Sequence, residues 1–276
     1  MSTIGGKLGT VALLAPAMLI VLLAFIVPLA RLVGISLSAP AGPLVAYAHV
    51  LGDDIYARVF VNTFVIAIAV TVIALLIAFP VAFALTRLSR SWRAIVFASV
   101  LMPLWISVLV RTFSWMLVLE RNGPVNRLIV ASGLVDQPLP LLFNRTGVLI
   151  GMVHVLLPYM VLPVYGAVRR LDPALVAAAQ GLGASNWRIF WRIYLPLTLP
   201  GIFAGAVIVF VLSLGFYITP ALLGGGKVMM VAVMIEQEVR QTLNWPFAAA
   251  LSAVLLALTL GVYSFAQLFI RQETQR

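Results

Sequence analysis

The chain has 276 residues, of which 63% are hydrophobic and only 9% are charged, and its mean hydropathy is +1.13. Soluble domains are about 25% charged, so this chain has too few polar groups to cover a water-exposed surface. The composition therefore excludes a soluble protein and predicts an all-α polytopic membrane protein.

The net charge of +10 would also suit a nucleic-acid-binding protein. However, the basic residues lie between apolar stretches and form no long basic run, which is the distribution that the positive-inside rule produces. We therefore predict membrane lipid and no nucleic acid among the partners. The chain has no cysteine, which excludes disulfides, thiolate catalysis and Cys-ligated metals.

A membrane-spanning helix needs about 20 mainly apolar residues. The first apolar stretch is longer than a signal-peptide core and only Lys7 precedes it, so we interpret it as a retained helix. We expect a single transmembrane domain over residues 1–276. Its six predicted spans are about 11–33, 61–86, 95–119, 147–168, 201–223 and 247–270.

The distribution of charge predicts the orientation of these spans. With both termini in the cytoplasm, the cytoplasmic segments carry ten basic residues and two acidic ones, and the other segments carry eight and six. The basic clusters at 87–93 and 169–170 lie directly beside spans, where the rule has most weight. We therefore expect both termini inside, with the long segment 120–146 outside and a short helix in it near 124–132.

The third and fourth spans contain ionisable side chains, which are costly within a membrane and usually face protein or water. Ser107, Arg111 and Trp115 share one helix face because their spacing is four residues. One interpretation is that they border a solute pathway in the outer half of the membrane, together with Trp105 and His154. In the other, Arg111 extends toward the interface or pairs with a carbonyl, and His154 is a packing residue.

The cytoplasmic loop 169–200 contains two predicted helices. Asp172 followed by Pro173 is a strong helix start, and Gly181 and Gly183 end this first helix after an alanine-rich run. The second helix carries an aromatic stripe of Trp187, Phe190, Trp191 and Tyr194, and we expect Pro196 and Pro200 to end it before span five. The hairpin suits either docking on another protein or an amphipathic elbow on the membrane surface, and the two interpretations are compatible.

The loop resembles the EAA motif of ABC-importer permeases, in which EAA is followed by three residues, G, nine residues, I, one residue and LP. One position departs from the motif, since Ala177 stands where the family has glutamate. The runs 102–119, 123–129, 215–225 and 244–251 resemble spermidine/putrescine-type permease subunits. The residues that match the motif are Ala178, Ala179, Gly183, Ile193, Leu195 and Pro196.

This resemblance implies a subunit of the bacterial inner membrane that imports a polyamine-like or other small polar or charged solute. It implies a paralogous second permease, two cytoplasmic ATPases and a periplasmic solute-binding protein as partners. ATP would be bound by the ATPases, so we expect no cofactor, metal or catalytic residue in this chain. The ATPase-coupling residues would be Asp172, Ala177, Ala178, Ala179, Gly181, Gly183, Ala184 and Ser185.

The alternative function is a secondary transporter driven by an ion gradient. Such a transporter usually has intramembrane acids and internal repeats. None of the eight acidic residues falls within a predicted span, so we favour the ATP-driven importer. Two glycine pairs in the spans, at 147/151 and 201/205, match the small-xxx-small pattern and predict close helix contacts.

Overall fold

The computed structural model describes residues 4–40 and 42–274, with side chains described in 14–40 and 42–264. Throughout these residues the secondary structure consists of helices and helical turns, with no strand. This confirms the predicted all-α class. The short helix predicted near 124–132 is confirmed as α6 (Pro124–Ala131).

The elements follow one another along the chain with short connections. A 3-10 turn (Met102–Trp105) follows α4, and a π-helical turn (Phe190–Tyr194) follows α9. The helices are α1 (Ile4–Ser36), α2 (Val45–Gly52), α3 (Asp54–Arg87), α4 (Arg90–Leu101), α5 (Val108–Leu119), α6 (Pro124–Ala131), α7 (Arg145–Arg169), α8 (Pro173–Gly181), α9 (Asn186–Ile189), α10 (Leu195–Leu214), α11 (Ile218–Leu223), α12 (Val231–Arg240) and α13 (Trp245–Thr274).

Five continuous helical segments of the described chain are long and apolar enough to cross a membrane, and a bent pair makes a sixth if it counts as one span. The predicted span 95–119 falls within this bent pair, so it is not one continuous helix. The segments Arg90–Trp105 and Val108–Ala131 meet at 107°. Pro103 lacks the N–H that would continue α4, and Ile106 and Ser107 then adopt extended ψ angles of 134° and 135°.

The predicted span 201–223 also differs from the structure. The helix begins earlier and runs without interruption from Asn186 to Leu214, so Pro196 and Pro200 do not end it. The backbone bonding is rearranged around the prolines: Leu195 N–H donates to the Phe190 carbonyl across the π turn. Between the prolines, Thr198 Oγ1 donates to the carbonyl of Tyr194 at 2.7 Å, the bond that threonine commonly makes to its own helix.

The chain divides into two compact units. The first contains the described residues up to Ala57 together with Ile235–Leu258. Its aromatic centre is formed by His49, Tyr56 and Phe247, whose ring centroids lie 5.2 to 5.4 Å apart. In the same unit, the hydroxyls of Ser36 and Tyr47 are hydrogen-bonded at 2.6 Å.

The second unit contains Arg58–Met234 and continues from Thr259. Helix α7 is the most deeply buried of its membrane-length helices. Small residues let α3 pack closely in this core, since Ala74, Ala78 and Ala82 recur every four residues and are fully buried. The core thus unites α3, α7 and α10.

Glycines of α7 and α10 mark the closest helix contacts of the second unit. A Cβ atom at Gly201 would lie 2.5 Å from the Cβ of Ala167, and one at Gly151 would lie 2.5 Å from Leu223 Cδ1. Both predicted small-xxx-small pairs are therefore confirmed as packing positions.

Candidate functional site

The hairpin at 172–185 begins with a capped helix, as the sequence predicts. The Asp172 carboxylate accepts a hydrogen bond from Ala174 N–H at 2.9 Å, and Pro173 occupies the first turn of α8, where its missing N–H costs nothing. This cap fixes the start of an exposed helix that has little packing of its own.

The same helix ends in a Schellman turn. Ala184 N–H donates to the Ala179 carbonyl at 3.0 Å, and Gly183 N–H donates to the Gln180 carbonyl at 2.9 Å. The turn requires a left-handed residue, and Gly183 has φ +78°. Ser185 then caps the next helix, its Oγ accepting from Arg188 N–H at 3.3 Å.

The two faces of α8 have different surroundings. Pro173, Val176, Ala177 and Gln180, spaced as one helical face, line a cavity of about 350 Å³. The opposite face does not line this cavity, and Leu182 at its end is 89% exposed.

The predicted coupling residues therefore divide between these faces. Ala177, at the glutamate position of the motif, lines the cavity and Ala178 does not, although both residues are exposed. Of the remaining coupling residues, Gly181 is exposed with an ordinary backbone and Ala184 is half-buried.

The aromatic stripe after the hairpin also divides into two pairs. Phe190 packs edge-on against Phe79 with ring centroids 5.5 Å apart, and Tyr194 against Phe83 at 5.0 Å. Trp187 and Trp191 are instead exposed by 71% and 48% and pack against each other. One pair anchors the segment to α3, and the other remains on the surface.

The two basic clusters used to predict orientation meet in the structure. Arg87 at the end of α3, Arg93 at the start of α4 and Arg169 at the end of α7 line the cavity under α8. Four further charges in that prediction, on Lys7, Arg271, Glu273 and Arg276, lie outside the described side chains.

The predicted pathway residues are only partly brought together. Trp115 Nε1 donates to His154 Nδ1 at 3.0 Å, and the two rings lie edge-on at 5.5 Å. Because Nδ1 accepts, the neutral imidazole carries its proton on Nε2 and offers a donor there. Ser107 is exposed just before α5, and Trp105 is 81% exposed on the other side of the bend.

Arg111 is the unusual residue of this region. The residue is 7% exposed, and its Nε and Nη1 atoms are buried with no hydrogen-bond partner among the described residues. A buried guanidinium without acceptors is strongly unfavourable. A hydrogen-bond acceptor from outside the described chain would therefore offset this cost by bonding to Arg111.

Sequence reasoning missed the polar contacts that hold α5 in place. Thr112 Oγ1 donates to the Val108 carbonyl at 2.8 Å and lies 3.1 Å from Thr219 Oγ1 of α11. Threonine facing its own helix gives no distinctive sequence pattern, and the partner is 107 residues away. Only the packing of α5 against α11 reveals the pair.

Comparison with known proteins identifies the family. The family described as "Binding-protein-dependent transport system inner membrane component" matches residues 11–274. The chain belongs to this family. The description of this family places the chain among multi-pass proteins of the inner membrane.

Relatives of this transport family include the spermidine/putrescine transport system permease protein PotB. The Haemophilus influenzae protein is 35% identical over 228 residues, covering 82% of this chain and 80% of the relative. The Escherichia coli PotB is 31% identical, with 81% and 82% covered. The inner membrane ABC transporter permease protein YdcU of Escherichia coli is 32% identical, with 71% and 66% covered.

Solved structures show the same fold. A bacterial ABC transporter involved in alginate import has a chain that superposes with a TM-score of 0.75 at 21% identity, covering 98% of this chain and 97% of that one. The MetNI methionine ABC transporter gives 0.59 at 17%, covering 78% and 94%. Together with the family and its relatives, this makes the chain a permease subunit of a binding-protein-dependent ABC importer, and nothing supports the gradient-driven alternative.

Proposed function

We propose that this permease subunit transmits ATP-driven closure of a partner ATPase through the 172–185 hairpin. The exposed outer face of α8 and its capped ends support this role, since the caps satisfy the free backbone groups at both ends of the helix. ATP binding and hydrolysis then belong to the partner, and this chain needs no cofactor or metal of its own.

The solute pathway proposed for this subunit runs past α5 and α7. Trp115 and His154 are hydrogen-bonded to each other and border the proposed pathway. Arg111 is a buried cation on the same face of α5 as Trp115. Ser107 and Trp105 flank the bend that precedes this face. The pathway is completed by a second permease subunit, a paralogue, and supplied by a periplasmic binding protein.

Polyamine is the first candidate solute, because PotB relatives at 31–35% identity carry spermidine/putrescine in their names. A second candidate is an anionic solute, which the buried, unpartnered Arg111 favours. A guanidinium attracts carboxylate or phosphate and repels a polyamine cation. The two candidate solutes therefore differ in charge, and Arg111 would attract one and repel the other.

The orientation proposed here places both termini and the α8 hairpin in the cytoplasm. The support comes from the excess of basic residues in those segments, and the clusters on Arg87 and Arg169 lie together at one end of the second unit.

The deciding experiment is purification of the tagged chain from its native host, followed by uptake in vesicles made with the recovered complex. We expect an ATPase at equal stoichiometry to the permeases and ATP-dependent uptake of radiolabelled spermidine or putrescine. Uptake of a small carboxylate instead would select the anionic solute. Recovery of the chain alone in several mild detergents, with uptake driven by an ion gradient, would contradict the proposed function.

A further inference from the structure

The cavity under α8 has a basic lining that the transport pathway does not use. It has a volume of about 350 Å³, within the range of small-ligand sites. Arg87, Arg93 and Arg169 line it, at the ends of three different helices, and Tyr165 and Tyr194 add phenol groups.

Two of the three arginines are held in place by the protein. The Arg87 guanidinium lies 4.3 Å from the centre of the Phe83 ring, a cation–π contact. Arg93 Nη2 donates to the Leu88 carbonyl at 2.9 Å, and its Nε is buried without a partner. These two guanidinium groups are therefore oriented before any ligand binds.

The lining contains almost no compensating negative charge. Asp172 is the single acid among the lining residues, and its carboxylate accepts the helix-capping bond from Ala174. None of the three arginines forms an ion pair within the described part of the chain. Ala177 leaves a methyl group where a longer acidic side chain would reach into the cavity.

The position of the cavity indicates which kind of anion can bind in it. Arg87 ends α3 and Arg169 ends α7, so the arginines lie where membrane-length helices leave the hydrocarbon. Trp187 and Trp191 are exposed on the segment that follows α8, and tryptophan is enriched at the level of lipid head groups. Basic pockets between helices at this level bind anionic head groups.

We propose that the cavity under α8 binds the phosphate head group of an anionic phospholipid. Arginine donates paired hydrogen bonds to phosphate oxygens, and the free Nε of Arg93 gains the acceptor it lacks. The bound head group would join the ends of α3, α4 and α7 to the inner face of α8.

The test is native mass spectrometry of the full-length chain in a mild detergent, titrated with phosphatidylglycerol. We expect Arg87→Gln combined with Arg169→Gln to weaken phosphatidylglycerol binding about tenfold or more. The matched control is Arg188→Gln combined with Arg192→Gln, which removes the same charge from exposed positions outside the cavity and should change binding less than about twofold. Equal losses in both pairs would overturn the proposal.

A second variant keeps the test independent of arginine loss. Ala177→Glu adds a carboxylate to the cavity and retains a good helix former, so it should release phosphatidylglycerol while α8 remains helical. Unchanged binding in Ala177→Glu would contradict the site. Titration with phosphatidylcholine tests whether binding needs a net negative charge on the lipid. Full displacement of phosphatidylglycerol by equimolar inorganic phosphate would show a free-phosphate site and overturn the lipid assignment.

Discussion

At the scale of single residues, Gly183 is the position where backbone geometry restricts the sequence most clearly. Its φ of +78° falls in the left-handed region, where a Cβ is strained even though no atom lies within 4 Å of the place it would occupy. The motif glycine is thus required by the Schellman turn and not by crowding.

Gly183→Ala should loosen the hairpin by about 1 kcal/mol, because alanine is disfavoured at positive φ. Gly181→Ala is the control: Gly181 is helical, its Cβ site is open, and the substitution should be neutral or slightly stabilising. Limited proteolysis of the hairpin measures both effects. Equal behaviour of the two variants would show that the turn geometry is not limiting.

Arg111 is the second residue with a distinct prediction. Its Nε and Nη1 atoms are buried without a hydrogen-bond partner among the described residues, so Arg111→Met should stabilise the isolated subunit by about 1 kcal/mol or more. The same change should lower uptake by about tenfold if the guanidinium contacts solute, since a hydrogen bond to a charged group is lost.

Thermal unfolding in detergent and vesicle uptake measure the two effects of Arg111→Met separately. Arg121→Met, which removes an exposed charge close to the end of α5, should alter neither. A destabilised Arg111→Met subunit would mean that the guanidinium has acceptors, and it would remove the argument for an anionic solute.

At the scale of elements, the contact between α7 and α10 depends on the absence of side chains. A Cβ at Gly201 would lie 2.5 Å from the Ala167 Cβ and 2.6 Å from the Pro163 carbonyl oxygen. Backbone atoms cannot yield by rotamer change, so the helices would have to separate.

Gly201→Ala should therefore lower the free energy of unfolding by about 1–3 kcal/mol. Gly166→Ala makes the same substitution on the neighbouring helix at a position with nothing within 4 Å, and it should be neutral or stabilising. The midpoint of thermal unfolding in detergent compares them. An unchanged midpoint for Gly201→Ala would show that α7 and α10 are less tightly packed than the structure indicates.

At the scale of the whole molecule, orientation in the membrane is the property that partners depend on. The chain contains no cysteine, so single introduced cysteines report topology without background. Leu182→Cys at the end of α8 and Leu134→Cys after α6 occupy positions that are 89% and 78% exposed.

In intact cells with a permeable outer membrane, a membrane-impermeant maleimide should label Leu134→Cys and not Leu182→Cys. Inside-out vesicles should give the reverse, since the basic clusters favour a cytoplasmic α8. Labelling of Leu182→Cys from outside would contradict the orientation and the docking of an ATPase on α8. The two positions act as controls for each other.

The fold class and the coupling hairpin could be predicted from the sequence because both depend on local signals. Long apolar runs predict helices that cross a membrane, and Asp172, Pro173 and Gly183 specify where α8 starts and stops through bonds within a few residues. The bend at Ile106–Ser107 was missed, because an apolar run with one proline does not indicate whether the chain turns there.

The membrane class, most of the spans and the capped hairpin follow from the sequence, since hydropathy and capping act over a few residues at a time. The packing of the helices is what brings Trp115 to His154, buries Nε and Nη1 of Arg111 without an acceptor, and places three arginines around one cavity under α8. Those arrangements join residues tens of positions apart. They depend on how whole helices pack, which no local pattern specifies.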